Sequence, residues 1–253
     1  MPLASILVPV FNREGLISRT LQCALLQTVK DIEIIVVDNQ STDQTYEVIR
    51  EMAGRDERIK LFRNAQNLGP VRNWIACAQY ASAPYAKLLF SDDLIAPTYL
   101  ERTLPKILSS GCALVYTPAV VGAEEWKGTV VYRAFDNDCN ILREPFLRAA
   151  VHLDHFTPVS PSAALFRTAD LLNNIHTELP GIDGYDFSRY GAGVDWVVYA
   201  LTALNYPFVS YVHEPLTFFR AHPGSITIAN ENNLIPAGYK LAKQWFLSRA
   251  ISG

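Results

Sequence analysis

The sequence predicts an α/β fold, with a mostly parallel, doubly wound sheet and helices on both of its faces. Three observations carry this prediction: strand-like runs in the first half are apolar at nearly every position, helical patterns lie between them, and 49% of the 253 residues are hydrophobic. Strands that are apolar on both faces are typical of a parallel sheet covered on both sides. The chain is long enough for one sizeable core, so we expect residues 1–253 to form one domain.

The first half of the chain alternates between strand-like and helical segments. In chain order the strands are "ASILVPV" (4–10), "IEIIVVD" (32–38), "IKLF" (59–62) and "YAKLLF" (85–90), with helices over about 14–27, 42–53 and 71–81 between them. Parallel strands need a crossover connection, which is usually a helix. The order therefore predicts a doubly wound, Rossmann-like unit over about residues 1–120.

The second half, about residues 121–253, is less regular. Its clearest segments are the strand "ALVYTPAVV" (113–121), a hairpin in "GAEEWKGTVVYR" (122–133), a helix over 195–204, the strand "FVSYV" (208–212) and an amphipathic helix "AGYKLAKQWFLSRA" (237–250). Two uses are open for the last helix: peripheral contact with a membrane surface, or packing on the domain or on a second subunit in a homodimer. Its apolar stripe favours packing.

Composition argues against several classes of partner. The formal net charge is −3 and the pI is near 6.0, which disfavours a nucleic-acid-binding surface. No apolar run approaches the ~20 residues of a membrane span, and the first strand lacks the basic start of a signal peptide. The four cysteines form no CxxC pair, and we expect them to be reduced thiols of a cytoplasmic protein.

Polar residues follow each strand of the first half: "PVFNRE", "DNQSTD", "RNAQNLGP" and "SDD" in turn. Because ligands of an open α/β sheet bind at the carboxyl ends of its strands, these segments predict a polar ligand site at that edge. The adjacent Asp92 and Asp93 suit a divalent cation shared with a phosphate, and Asp38 suits a hydrogen bond from a ligand N–H. By position alone, Asp38 could instead cap the next helix, and "SDD" could be a solvated turn.

Two segments of the second half add candidates. Arg220 and His222 lie two residues apart in "FFRAHPGSIT", so they would point to one side of an extended segment and suit a phosphate or a metal. Asp195 lies in "GAGVDW" at a helix start, where N-capping is the alternative role. No GxGxxG follows the first strand, and P-loop and GxSxG motifs are absent, which disfavours dinucleotide-binding Rossmann enzymes and P-loop hydrolases.

Taken together, these segments resemble the family 2 glycosyltransferases, which are inverting enzymes with the GT-A fold. Six segments carry the resemblance, in the family's order over about residues 4–228: "SILVPVFNRE", "IEIIVVDNQSTDQT", "NLGPVRNW", "LLFSDDLIAPTYLE", "GVDW" and "FFRAHPGSIT". The resemblance implies transfer of a sugar from a nucleotide donor, most commonly a UDP-sugar, to a glycan or lipid-linked glycan in polysaccharide or cell-surface glycan synthesis. It also implies that the first half binds the donor and the second half the acceptor.

The resemblance assigns donor-side roles by matching positions. Asp38 matches the carboxylate that reads the base, commonly uracil, Asp92 the carboxylate on the ribose side, and Asp93 the ligand of a divalent metal, Mn²⁺ or Mg²⁺. The further nucleotide-sugar-binding residues that it implies are Pro9, Asn12, Glu14, Asn67 and Arg220, with His222 as a second residue at the metal.

On the acceptor side, Asp195 matches the general base of the family's "ED" motif. Trp196 and Ser160 are the candidates for acceptor contacts, Trp196 because aromatic faces suit sugar rings. Two positions depart from the family pattern. Phe90 stands where the acidic motif often begins, and Val194 replaces the first acid of the "ED" motif, which removes one acid near the acceptor.

Two other functions stay open on the residues alone. A nucleotidyltransferase also uses carboxylates and a metal on a nucleotide, but it usually carries a glycine-rich, basic loop after its first strand, and "PVFNREG" lacks one. An inactive nucleotide-sugar- or glycan-binding module would keep the fold without turnover. Slow release of nucleoside diphosphate from a sugar nucleotide would distinguish an enzyme from such a module.

Overall fold

The computed structural model of the chain describes residues 1–109, 111–152, 156–222, 224–225 and 234–250. Its strands are β1 (Ala4–Val10), β2 (Ile32–Asp38), β3 (Ile59–Arg63), β4 (Tyr85–Leu88), β5 (Leu94–Ile95), β6 (Cys112–Tyr116), β7 (Ala119–Gly122), β8 (Thr129–Val131), β9 (Cys139–Leu142), β10 (Ala164–Arg167), β11 (Phe208–Tyr211) and β12 (Thr217–Arg220). Its helices are α1 (Ile17–Leu25), α2 (Thr45–Ala53), α3 (Pro70–Tyr80), α4 (Tyr99–Ile107), α5 (Arg143–His152), α6 (Thr168–Asn174), α7 (Phe187–Tyr190), α8 (Val194–Leu204) and α9 (Leu234–Ala250).

The larger sheet has eight strands in the order β3-β2-β1-β4-β10-β6-β11-β9. The first four run parallel to one another, which confirms the predicted parallel half. β10 lies antiparallel between β4 and β6, β11 is parallel to β6, and β9 is antiparallel to β11. Because β1, β2 and β4 end at the same edge, the loops that follow them meet there.

Helices cover both faces of the larger sheet, as predicted. Alternate residues of β1 enter two separate cores: Ile6 and Val8 pack with residues of α1, α2 and α4, whereas Leu7 packs with residues of α3, α6 and α8. Every residue of β1 and β2 is buried. This two-sided burial explains why these strands read as continuous apolar runs, and it confirms the α/β class.

A second sheet, in the order β5-β12-β7-β8, is a feature that the sequence analysis did not predict. The strand expected over 113–121 is broken at Thr117 and Pro118, so that β6 belongs to the larger sheet and β7 to the smaller one. Proline lacks the N–H that a central strand needs, which explains the break. The predicted hairpin is confirmed as the antiparallel pair of β7 and β8.

The C-terminal helix α9 packs on α8. Ala242, Trp245 and Phe246 are buried, and the Phe246 ring meets Trp196 edge to face with centroids 5.5 Å apart. The apolar stripe of α9 is therefore used within the chain, and a homodimer through this helix stays a prediction. Among the described helices, none has the length and apolar character needed to span a membrane.

Candidate active site

A pocket of about 750 Å³ opens at the carboxyl ends of β1, β2 and β4. Both halves of the chain contribute to its wall, since Asp195 at the start of α8 and Arg220 at the end of β12 face the strand ends of the first half. The predicted site residues that line it are Pro9, Asn67, Asp92, Asp93, Ser160, Asp195 and Arg220. The polar edge expected from the sequence is therefore a concave site.

Asp92 lies between two basic side chains. Its Oδ2 accepts hydrogen bonds from Arg13 Nε at 3.2 Å and from His222 Nε2 at 2.9 Å. The backbone N–H of Gly224 donates to His222 Nδ1 at 3.2 Å. Both ring nitrogens are used within the protein. His222 thus orients Asp92, and its ligation of a metal stays a prediction.

Asp93 is buried beside Asp92 with little compensation for its charge. Its Oδ1 accepts the backbone N–H of Arg220 at 3.1 Å. Burial, and secondly the charge of Asp92, raise the pKa of Asp93 well above its ordinary value, while the Arg220 hydrogen bond and the charge of Lys87 work in the other direction. A cation in the pocket would relieve both effects, because a nearby positive charge favours the carboxylate.

The donor set for a metal ion is small. Within the described residues, no group of three or more His, Cys, Asp or Glu side chains is arranged to hold an ion. Mg²⁺ typically binds through one or two carboxylates together with phosphate oxygens and water. The buried carboxylate of Asp93 therefore fits a metal that binds together with a diphosphate, and it does not fit a metal held by protein side chains alone.

Lys87, on β4, is a buried counter-charge to Asp93 that the sequence analysis missed. Its Nζ donates to the carbonyl of Ser162 and lies 4.3 Å from the centroid of the Tyr99 ring. Burial lowers the pKa of Lys87 to about 7, and the charge of Asp93 opposes that shift. The signal was present in the sequence, as a lysine inside the otherwise apolar run "YAKLLF".

Arg220 is held at the pocket wall by two partners. Its Nε donates to the carbonyl of Asp92 at 3.2 Å, and its Nη2 donates to Glu125 Oε1 at 2.9 Å. Glu125 also pairs with Arg19, at 2.9 Å between Oε2 and Nη2. A guanidinium held in this way suits phosphate oxygens. Glu125 lies in the turn between β7 and β8, and nothing in its sequence neighbourhood pointed to this contact.

Asp195 lies in the first turn of α8, and its two carboxylate oxygens have different hydrogen-bond partners. Oδ1 accepts the backbone N–H groups of Gly193 at 2.8 Å and Trp196 at 2.7 Å, and Oδ2 accepts the hydroxyl of Tyr239 at 2.6 Å. Burial raises the pKa of Asp195 to about 7, and these hydrogen bonds oppose the shift. The N-cap of α8 is Gly193 rather than Asp195. A pocket carboxyl with this pKa can accept a proton near neutral pH.

Asparagine side chains form a hydrogen-bond network beside the pocket at the end of β2. Asn39 Nδ2 donates to Asn67 Oδ1 at 2.8 Å, and Asn64 Nδ2 donates to the Oδ1 atoms of Asn39 and Asn73, each at 2.9 Å. Asn39, Asn67 and Asn73 line the pocket, and the sequence analysis singled out Asn67 alone among them. The network fixes the loop between β3 and α3, so the polar wall keeps its shape.

Two predicted donor-site residues, Asn12 and Glu14, make hydrogen bonds to the loop that leads into α2, and their contact with a donor stays a prediction. Asn12 Oδ1 accepts the backbone N–H of Thr42 at 2.8 Å, and Glu14 Oε2 accepts that of Gln44, also at 2.8 Å. Both side chains therefore face the loop that leads into α2 and do not line the pocket. They join the loops after β1 and β2, because the start of a helix offers N–H groups that need acceptors.

Two further predicted residues are buried. Asp38 Oδ2 pairs with Arg63 Nε at 3.0 Å and its carboxylate accepts the N–H of Ser41, so its recognition of a base stays a prediction. The expectation that Trp196 contacts the acceptor is corrected: its ring lies in the core, and its Nε1 donates to the carbonyl of Ala150 at 3.1 Å. Neighbouring helical residues point about 100° apart, so Asp195 and Trp196 face different sides of α8.

Comparison with solved structures defines the class of the fold. The chain is similar to S. aureus TarS 1–349 in complex with UDP-GlcNAc, with a TM-score of 0.75 and 19% identity, over 97% of this chain and 65% of that one. It is also similar to the mannosyltransferase PcManGT from Pyrobaculum calidifontis in complex with GDP-Man and Mn²⁺, with a TM-score of 0.59 and 15% identity, over 100% and 76% of the two chains. The fold is of the GT-A type.

The sequence places the chain within that class. The model of glycosyl transferase family 2 matches residues 5–172, and the chain belongs to this family, which confirms the family resemblance; the first four of the six segments lie within the matched residues. It is 32% identical over 164 residues to GalNAc(5)-diNAcBac-PP-undecaprenol beta-1,3-glucosyltransferase of Campylobacter jejuni, covering 62% of this chain and 51% of the relative. It is 34% identical over 116 residues to an uncharacterized glycosyltransferase of Haemophilus influenzae, covering 46% of each. The chain spans about half the length of these relatives.

Proposed function

We propose that the chain is an inverting glycosyltransferase that moves a sugar from a UDP-sugar onto an acceptor hydroxyl. The observation that carries the proposal is that two buried carboxyl groups with different surroundings, Asp93 and Asp195, line one pocket. Asp93 lies next to a second acid and an arginine, which suits a metal and a diphosphate. Asp195 lies among neutral groups, which suits a proton acceptor.

At the donor end, Asp92 and Arg220 bind the nucleotide and its phosphates, with Arg220 held in place by Glu125. Asp93 would hold a divalent metal, Mn²⁺ or Mg²⁺, which when bound would neutralise charge on the diphosphate. Two solved structures with a similar fold support this choice of ligands, one in complex with UDP and one with GDP-Man and Mn²⁺.

At the acceptor end, Asp195 acts as the general base. The acceptor oxygen forms a bond to C1 of the sugar while the bond from C1 to the diphosphate oxygen breaks. The acceptor proton passes to Asp195 Oδ2, since Oδ1 is already occupied by two backbone N–H groups. Direct displacement inverts C1 and needs no covalent enzyme intermediate.

The acceptor is a glycan or a lipid-linked glycan. Names of relatives support this class: beside the undecaprenol-linked glucosyltransferase, the chain is 35% identical over 118 residues to chondroitin synthase of Pasteurella multocida, covering 46% of this chain and 12% of the relative. The pocket aromatics that replace Trp196 as candidate sugar contacts are Trp74, Tyr132, Tyr190 and Tyr239.

Calorimetric titration of UDP tests the donor site. We expect binding with Mn²⁺ that weakens at least ~10-fold in EDTA or in Asp93→Asn, because one carboxylate supplies the protein's share of the metal ligands. Asp136→Asn, an exposed acid outside the pocket, is the matched control and should bind as wild type. Binding of GDP without UDP would overturn the assignment of uracil, and binding of neither would overturn the donor site.

A further inference from the structure

The C-terminal helix α9 brings a hydroxyl group to the proposed general base. Tyr239 Oη donates to Asp195 Oδ2 at 2.6 Å, and both side chains line the pocket. The two lone pairs of Asp195 Oδ1 are used by the N–H groups of Gly193 and Trp196. A carboxylate oxygen has two lone pairs, so Oδ2 keeps one beside the Tyr239 hydroxyl for an acceptor proton.

Two glycines allow this contact. A Cβ built on Gly193, whose φ is +98°, would lie 2.6 Å from the carbonyl oxygen of Gly238, and a Cβ on Gly238 would lie 2.5 Å from that of Ala192. Neither position has room for a side chain. The backbone that leads into α8 therefore meets the backbone of α9 directly beside Asp195, which places the next residue along α9, Tyr239, against its carboxylate.

We infer that Tyr239 is a positioning residue for the general base: its hydroxyl holds Asp195 Oδ2 in place, with one lone pair open to the acceptor hydroxyl. The inference rests on the proposed function, in which Asp195 takes that proton. A hydrogen bond donated to a carboxylate favours the ionised form over the acid. Loss of the Tyr239 hydroxyl should therefore leave Asp195 more protonated at neutral pH and less able to act as a base.

The other phenols near Asp195 would not produce the same pH dependence of kcat. The phenols that face it from the elements packed around it are Tyr239 of α9, Tyr199 of α8, Tyr132 after β8 and Tyr185 before α7. Burial raises the pKa of each of them, so they stay neutral up to about pH 9. Asp92 and Asp93 are further acids of the pocket, so a titration is assigned to Asp195 by its loss in Asp195→Asn.

The first test compares Tyr239→Phe with Tyr185→Phe. The Tyr185 hydroxyl donates to the carbonyl of Leu234 at 2.8 Å, so this control loses a hydroxyl contact to the same helix and keeps the hydrogen bonds of Asp195. The assay is release of UDP from a UDP-sugar, with water as acceptor, as a function of pH. For Tyr239→Phe we expect the acid limb of kcat to rise by about one pH unit, with kcat about 5-fold lower at pH 7, about 10-fold lower on the acid limb below it, and KM for the donor unchanged.

The second test needs no turnover. In protein labelled with ¹³C-carboxyl aspartate, the midpoint of the Asp195 resonance should be higher in Tyr239→Phe than in wild type and unchanged in Tyr185→Phe. Equal midpoints in wild type and Tyr239→Phe, or equal effects of the two variants, would overturn the inference. If Asp195→Asn keeps wild-type turnover, the general base itself is wrong and the inference fails with it. If Asp195→Asn is inactive while Tyr239→Phe matches wild type, this inference alone is wrong.

Discussion

Asp195→Asn should stabilise the protein relative to wild type as the pH rises, because it removes a buried acid whose ionisation opposes folding. Asparagine has the same shape. Its oxygen can keep the N–H groups of Gly193 and Trp196, and its amide can donate to the Tyr239 oxygen. The variant therefore changes the charge of this site with little change in packing.

The magnitude follows from the difference between two pKa values. Burial raises the pKa of Asp195 to about 7 in the folded protein, against about 3.9 in an unfolded chain. Below the unfolded value both states are protonated and the acid costs nothing. As the pH rises toward the folded value, the unfolded chain ionises first, so stability is lost at about 1.4 kcal/mol per pH unit. The full loss is about 4 kcal/mol, complete above the folded pKa.

Urea unfolding followed by tryptophan fluorescence measures this directly. Between pH 5 and 7, the free energy of unfolding of Asp195→Asn minus that of wild type should rise by about 2.3 kcal/mol. The remaining acids titrate alike in both proteins and cancel. Tyr185→Phe exchanges one neutral side chain for another, so its difference from wild type should not vary with pH over this range.

A difference that stays flat from pH 5 to 8 for Asp195→Asn would refute the reasoning. It would mean that Asp195 is already ionised in the folded protein at pH 5, and that its hydrogen bonds outweigh its burial. The acid limb of the rate profile would then have to belong to another group, and Asp93 would be the first candidate.

The other two predictions concern Glu33 and Gly191. Burial acts to raise the pKa of Glu33, but hydrogen bonds from Lys60, Ser5 and Ser82 lower this pKa to about 2. Glu33→Gln should therefore cost about 2 to 3 kcal/mol in urea unfolding at pH 7, and this stabilisation by the carboxylate should fade as the pH falls from about 4 toward 2; equal stability at pH 7 would contradict the prediction. A Cβ on Gly191, whose φ is +75°, would lie 2.4 Å from Trp74 Cη2, whereas one on Gly184, with φ +78°, meets nothing within 4 Å. Both alanine variants carry the same backbone strain, so Gly191→Ala should melt at least ~4 °C below Gly184→Ala in a thermal scan, and equal melting temperatures would rule out the clash.

The first half of the fold could be predicted because its strands are buried on both faces. β1 and β2 begin and end where their apolar runs do, because a strand that is covered on both faces is apolar at nearly every position. Helix ends were less accurate. α1 begins at Ile17 rather than near residue 14, after a turn in which the N–H groups of Leu16 and Ile17 donate to the carbonyl of Arg13.

The second half could not be predicted to the same depth. β10 enters the larger sheet between β4 and β6, although it lies far from both in the chain, and its apolar run carries no sign of its partners. The four-stranded sheet joins β5, β7, β8 and β12 across more than half of the chain. Pairing between distant strands depends on register and packing, which a single segment does not encode.

The candidate site also has features that the sequence predicts and features that only the tertiary structure determines. Order and type of residues in the chain were enough to single out Asp92, Asp93, Asp195 and Arg220, because polar groups at strand ends and helix starts are visible as departures from apolar patterns. The tertiary structure alone decided which of them share the pocket and what surrounds each one. Glu125 acts on Arg220 from a segment distant in the chain. Tyr239 meets Asp195 because two glycines let α8 and α9 touch. The charge, burial and hydrogen bonds that set the chemistry of a carboxyl group come from neighbours in space, and the chain order does not contain them.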